Sequence, residues 1–119
     1  MGINSTDTAY AFGQLGSGFC DTTGAFTPPT GKVIVAIQFL AETTLSGLVA
    51  DTGGYTAADG SEGEAYFSHT TAVTANGGGA DATDSSQKFP KGMIVYGRWT
   101  SVTLAGSDSD GGIICYFGI

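Results

Sequence analysis

The segment KVIVAIQFLAE, Lys32 to Glu42, limits the choice of fold more than any other part of this chain. It is an almost unbroken apolar run rich in Val and Ile, and β-branched side chains of this kind favour a strand over an exposed helix. A strand that is apolar on both sides is expected to be buried on both faces of its sheet. Pro28 and Pro29 precede the run and cannot donate to a ladder, so they are expected to lie outside the sheet.

Further strands are predicted after this run. TTLSGLVAD alternates weakly and indicates a second strand or a turn into one. EAYFSHTTAVTA, residues 64–75, has apolar and Thr side chains spaced by two or four and predicts another strand. GMIVYGRWTSVTLAG and GGIICYFGI are separated by SDSDG, whose Asp and Gly residues favour a tight turn, and together they predict a hairpin. No segment of useful length has the periodicity of a helix.

These patterns predict an all-β protein: a single compact antiparallel β-sandwich or small barrel with long loops rich in Gly and Asp. The length of 119 residues fits one β domain spanning 1–119, and the 20 glycines fit a chain with many turns. Residues 1–18 alternate less cleanly and are expected to form a strand or an extended N-terminal arm.

Charge and targeting signals argue against several classes of partner. Eleven acidic residues oppose four basic ones, giving a net charge of -7, so nucleic acid is not expected to bind directly. No apolar run approaches the roughly 20 residues of a membrane span, and the first residues show no secretory signal. Because only 13% of residues are charged, much of the surface must be Ser, Thr, Gly and Ala. Such a surface suits a homo-oligomer or a protein packed on a larger body.

The residue types that could carry chemistry lack the arrangement that the chemistry requires. His69 is the only histidine and no serine lies in a G-x-S-x-G context, so His69 is interpreted as a surface or hydrogen-bonded residue. SDSDGG resembles part of a calcium loop but lacks the remaining ligands. Cys20 and Cys115 are interpreted as buried thiols, with a disulfide as the alternative. We therefore expect no enzyme and no catalytic, cofactor or metal site; a small hydrolase with His69 as base is the remaining alternative.

Two polar loops are the predicted contact surfaces for a partner. DTGGYTAADGSEG and NGGGADATDSSQKFPKG are long and rich in glycine, and long loops often carry binding residues. The candidate partner-contact residues in these loops are Tyr55, Asp59, Asp81, Asp84 and Phe89.

The dipeptide Arg98–Trp99 is predicted to be a structural lock. It contains the only arginine and the only tryptophan of the chain, inside a segment that reads as a strand. Apolar residues surround Arg98 on both faces, so its guanidinium must find carboxylate or carbonyl partners, because dry unpaired donors are costly. Gly97 permits a bulge that could redirect Arg98. If no bulge intervenes, Trp99 lies on the face opposite Arg98, Val102 and Leu104.

The segment KGMIVYGRWTSVTLAG followed by IICYFGI, together with VIVAIQFLAETTLSGL, resembles the small β-rich virion structural proteins of tailed phages of marine bacteria. YGRWTS is the most specific part of this resemblance, which covers about half of the chain. The resemblance implies a non-enzymatic capsid decoration or cement protein, made in the host cytoplasm and bound to the major capsid protein on the capsid exterior. It also implies a homo-oligomer, with a trimer favoured.

The alternative function is a receptor-binding or carbohydrate-binding module on a tail fibre or capsid surface. Such a module would use the loop aromatics Tyr55 and Phe89 with nearby aspartates, since sugar-binding sites combine an exposed aromatic ring with polar groups.

Overall fold

The computed structural model describes residues 14–51, 66–69, 82–106 and 111–119. In these residues the chain forms six strands and no helix. The strands are β1 (Ser17–Cys20), β2 (Val33–Phe39), β3 (Thr43–Ala50), β4 (Lys88–Phe89), β5 (Ile94–Leu104) and β6 (Ile113–Gly118). They build one sheet in the order β1-β6-β2-β5-β3-β4, and all neighbours are antiparallel. The all-β antiparallel prediction is confirmed, whereas the finer choice of sandwich or small barrel stays a prediction.

Strand β2 lies inside the sheet, with β6 on one side and β5 on the other. Ile34 and Ile37 are completely buried, and Val35 and Ala36 are almost as well covered. The apolar run therefore forms an inner strand, but the expectation that both of its faces are buried holds only in part, because Gln38 is half-buried.

The hairpin predicted for the last two strands is wrong. β5 and β6 each pair with β2, on opposite edges of it, so residues 105–112 connect strands that are not neighbours. Pairing β5 directly with β6 would leave one edge of the most apolar strand without a partner. TTLSGLVAD forms β3 and pairs with β5. Of the strand predicted over 64–75, only 66–69 are described and they are not in a strand.

Irregular pairing in β5 changes which of its side chains face the core. Ile34 is opposite Trp99 but Ala36 is opposite Tyr96, so β5 has an extra residue at Gly97 and Arg98. A second irregularity follows, because Val49 and Ala50 are opposite Ser101 and Trp99. As a result Trp99, Val102 and Leu104 all join the core cluster, although strict alternation would place Trp99 on the other face.

The first described strand, β1, forms one edge of the sheet. Residues 17–18 of the predicted arm belong to β1, which has β6 as its one partner among the described strands. Residues 1–13 lie outside the described residues. Phe26 then exchanges two main-chain hydrogen bonds with Val102 of β5, at 2.8 and 3.0 Å. Its ring stacks on Phe117 of β6, with centroids 6.0 Å apart. Phe26 therefore joins the chain between β1 and β2 to both β5 and β6.

Candidate functional site

Arg98 lies at the end of the sheet where β3 and β6 finish. Its Nε and Nη2 both donate to Oδ2 of Asp51 at 3.3 Å, and its Nη1 donates to the main-chain oxygen of Ile119 at 2.6 Å. The two charged side chains are 35% and 21% exposed, so water screens the ion pair in part. Arg98 thus links β5 to the ends of β3 and β6 through a carboxylate and a carbonyl, the partner types expected for a half-buried guanidinium.

Trp99 is completely buried and fixed from three directions. Its Nε1 donates to the carbonyl oxygen of Phe67 at 2.9 Å, and the Phe67 ring meets it edge-on at 5.3 Å between centroids. The third neighbour is Gly97, because a Cβ at that position would lie 2.7 Å from Cη2 of Trp99. Glycine at position 97 therefore gives the indole its space, in addition to permitting the irregular pairing.

His69 connects the 66–69 segment to β3. Its Nε2 lies 2.6 Å from the carbonyl oxygen of Leu45, which can only accept, so Nε2 carries the proton and donates. In the neutral ring Nδ1 then accepts from the Thr83 hydroxyl at 2.8 Å. The main-chain N–H of His69 donates to Leu48 at 3.0 Å. With both ring nitrogens engaged, His69 has the geometry of a structural residue and offers no free lone pair to a substrate.

Phe89 is not the exposed loop residue that the sequence suggests. It forms β4, is 6% exposed, and stacks on Phe39 with ring centroids 4.6 Å apart. The expectation that Phe89 contacts a partner is therefore corrected. The sequence placed it in a polar loop because its neighbours are Lys, Pro and Gly, but the two-residue strand turns the ring into the core.

Asp84 is exposed, as a contact residue must be, and is held in a local turn. Its Oδ1 accepts from the main-chain N–H and the hydroxyl of Ser86, at 2.8 and 2.5 Å. These two bonds, with smaller contributions from His69 and Gln87, lower the pKa of Asp84 below its ordinary value. The other candidate contact residues, Tyr55, Asp59 and Asp81, lie outside the described residues.

Cys20 and Cys115 are both buried and both free thiols. Burial, with a smaller contribution from the charge of Cys20, raises the pKa of the Cys115 thiol to about 12. A thiol with so high a pKa is almost entirely protonated at neutral pH and is a poor nucleophile. The buried-thiol interpretation therefore describes this structure, and the disulfide alternative does not.

The most distinctive surface is the side of the sheet opposite the core, across β1, β6, β2 and β5. Cross-strand partners in an antiparallel sheet share a face, and the pairing defines two rows of such partners. We call these eight residues the outer face: Phe19, Ile114, Gln38 and Ile94 in one row, and Ser17, Tyr116, Ala36 and Tyr96 in the next. None of them is charged.

Several side chains of the outer face are far more exposed than apolar strand residues usually are. Tyr96 is 70% exposed, Phe19 56% and Ile94 40%. In the middle of the face the hydroxyl of Tyr116 lies 3.0 Å from Oε1 of Gln38 and donates to it. Aromatic residues without charged neighbours are typical of the centre of a protein–protein interface. The outer face is therefore the best candidate for a functional site among the described residues.

Sequence reasoning missed this face because it looked for partner contacts in the two polar loops and not on the strands. Gln38 is the signal that could have revealed it, as the one polar side chain inside the apolar run of β2. An amide at that position indicates that one side of the strand meets solvent. Identifying the neighbours of Gln38 as Ile94 and Ile114 also requires the strand order, which the hairpin prediction had wrong.

Over the described ranges no three His, Cys, Asp or Glu side chains converge as a metal site would require. No helix in that part of the chain is long and apolar enough to cross a membrane. Comparisons with models of known families, with curated proteins and with solved structures find no match to this chain.

Proposed function

We propose that this chain is a non-enzymatic structural protein of a phage virion, a capsid decoration or cement protein that binds the outside of the major capsid protein shell as a homo-oligomer. The observation that carries the proposal is the uncharged outer face, on which Tyr96, Phe19 and Ile94 are exposed together. The resemblance of the YGRWTS region to virion structural proteins supplies the class of partner.

The outer face suits this role because burying it removes apolar surface from water at about 25 cal/mol per Å². A sheet face holds its side chains on a hydrogen-bonded frame, so little backbone entropy is lost when it docks. The absence of charge across the eight residues matters as well, since no ion has to be dehydrated in the contact. In this mechanism the protein bridges neighbouring shell subunits and opposes the outward pressure of the packaged DNA.

The location of the protein on the virion is the first test. A map of the source particle by electron microscopy is expected to show many copies distributed over the icosahedral shell. Capsids stripped of the protein are expected to lose resistance to heat and dilution. Copies found only at tail or fibre tips would refute decoration, and stripped capsids of undiminished resistance would refute cementing.

The contact surface is tested by placing a charge on it. Ile94→Lys and Tyr96→Lys are expected to abolish co-sedimentation with stripped capsids, because the new ammonium must be buried without a partner. Val49→Lys is the matched control, since Val49 is an apolar strand residue that is 49% exposed but lies outside the outer face. Equal loss of binding in all three variants would argue against the outer face as the capsid contact.

Carbohydrate binding is the second candidate, and one observation favours it. The 70% exposed ring of Tyr96 lies in the same row as Tyr116, whose hydroxyl bonds to the Gln38 amide, so a ring and polar groups occur together. A glycan array separates the two functions. If the face is a sugar site, the wild-type protein and Tyr96→Phe should bind a glycan and Tyr96→Ala should not. Decoration predicts that neither the wild type nor either variant binds a glycan.

A further inference from the structure

The two edges of the sheet differ in how they are protected. Beyond the short β4, the edge of β3 is covered by the 66–69 segment, where His69 bonds to the carbonyl oxygens of both Leu45 and Leu48. Among the described strands, β1 forms the opposite edge and pairs with β6 alone. Its sequence, SGFC, has none of the lysines or prolines with which proteins usually block strand pairing.

The outward hydrogen-bonding groups of β1 can be assigned from one bond. The N–H of Phe117 donates to the carbonyl oxygen of Gly16 at 2.9 Å, so that oxygen points toward β6. The N–H of Ser17 belongs to the same peptide group and therefore points away from β6. Because the direction alternates along a strand, the N–H and C=O groups of Ser17 and Phe19 both face outward. Among the described residues no hydrogen bond reaches these outward groups, and both residues are exposed.

We propose that β1 pairs with β1 of a second copy of this chain, antiparallel and about a two-fold axis at Gly18. This register places Ser17 opposite Phe19 of the second copy, and Phe19 opposite Ser17. Each such pair exchanges both of its N–H···O bonds, so the register uses every outward group of the strand. The pairing joins two sheets into one and does not depend on the proposed function.

Side chains and charges fit this register. The Gly18 residues of the two copies meet at the axis, where glycine permits the closest approach, and any side chain there would also lie 2.5 Å from the Phe26 ring. The two Phe19 rings become diagonal neighbours on the outer face, within reach of each other. Asp21 falls opposite Leu15, whose carbonyl oxygen accepts from Lys32 Nζ at 3.0 Å. Despite the charge of -7 on each chain, the register brings an acid near a base.

A second copy is favoured over an unrelated strand because β1 supplies, on each copy, both the N–H donors and the C=O acceptors that this register uses. A head-to-tail arrangement would require an open second edge, and β3 has its edge covered. An isologous contact between identical edges closes after two copies. The structure therefore favours a dimer through β1, whereas the resemblance implies a trimer.

Sedimentation analysis of the full chain tests the pairing. The weight-average mass is expected to rise with concentration from 12.0 kDa toward twice that value. Phe19→Lys is expected to weaken association about tenfold or more, because it removes an aromatic anchor and adds a charge to the edge. Val49→Lys is the matched control, since Val49 is an exposed apolar residue of β3 that lies outside the outer face and is not part of β1. A purely monomeric wild type, a trimer mass, or loss of association in Val49→Lys but not Phe19→Lys would each overturn the proposal.

Two further variants remain informative if Phe19→Lys folds poorly. Phe19→Ala keeps the outward N–H and Phe19→Pro removes it, so the proline chain is expected to associate more weakly than the alanine chain. The register itself is tested by mixing chains that carry Ser17→Cys with chains that carry Phe19→Cys under mild oxidation. Mixed dimers are expected to form faster than either like-with-like dimer, because residue 17 of one copy lies directly opposite residue 19 of the other, whereas 17 and 17 or 19 and 19 are diagonal neighbours. Equal rates would reject the register and the two-fold axis at Gly18.

Discussion

Replacing Gly97 by alanine tests whether the Trp99 indole is packed on the backbone of its own strand. The new methyl group would lie 2.7 Å from Cη2 and 2.8 Å from Cζ2 of Trp99, well inside van der Waals contact. The indole cannot move aside freely, because its Nε1 is bonded to Phe67 and the side chain is completely buried. One of the two groups must therefore shift.

The size of the effect follows from two opposing contributions. Overpacking a well-filled core costs about 1–3 kcal/mol. Alanine also restricts the unfolded chain more than glycine does, which returns about 0.4–1 kcal/mol. We expect the free energy of unfolding to fall by about 1–2 kcal/mol, which lowers Tm by roughly 4–8 °C in a domain of this size.

The assay is urea or thermal unfolding followed by tryptophan fluorescence, which reports on Trp99 alone because the chain contains one tryptophan. Gly106→Ala is the control, since a Cβ there would meet nothing within 4 Å. Its stability is expected to be unchanged or slightly higher. If Gly97→Ala were as stable as Gly106→Ala, the packing of Trp99 on Gly97 would be refuted.

Three further predictions follow from the described contacts. Arg98→Ala is expected to lower the free energy of unfolding by about 1–2 kcal/mol, through lost bonds to Asp51 and Ile119 that are partly screened by water; unchanged denaturant midpoints would contradict the lock. The pKa of Cys115 is about 12 in the folded protein and 9.0 in the unfolded chain. Its contribution to the free energy of unfolding is therefore constant below pH 9 and falls by about 1.4 kcal/mol per pH unit between pH 9 and 12, where only the unfolded chain loses the proton. That extra slope should disappear in Cys115→Ala, and an identical pH profile for the two chains would count against the raised pKa. The pKa of Asp84, measured by NMR, should lie below 3.8 and move back toward 3.8 in Ser86→Ala. Because the folded pKa is lowered, the contribution of Asp84 to folding stability is present above pH 3.8 and is lost as the pH falls through the folded pKa.

Local composition predicted which segments form strands better than it predicted the order of the strands in the sheet. The apolar run from Lys32 to Glu42 indicates a buried strand, and β2 is an inner strand whose residues are buried except for the half-buried Val33 and Gln38. The order of strands depends on contacts between distant parts of the chain, and the short link between β5 and β6 suggested a hairpin that does not form. β5 and β6 are close in sequence but pair with the two edges of β2 instead of with each other.

The candidate site was hidden by the same limit. Irregular pairing near Gly97 and Thr100 decides that Trp99, and not Tyr96, shares the core face with Val102 and Leu104, and strict alternation contains no information on such shifts. The contacts of Arg98 were foreseeable in kind, because a half-buried guanidinium needs acceptors, but not in identity. Phe89 shows the opposite error, since a polar neighbourhood concealed a core residue.

The position of β6 between β1 and β2 has a consequence for how the chain folds during synthesis. β1 is translated before the other described strands, and β6, the described strand with which it pairs, is translated after all of them. One edge of β2 stays open over the same interval. Sequence separations this large slow folding, and open strand edges promote misassembly while they persist. We therefore expect this sheet to be completed only after β6 leaves the ribosome, and the edges of β1 and β2 that pair with β6 to be open to misassembly until then.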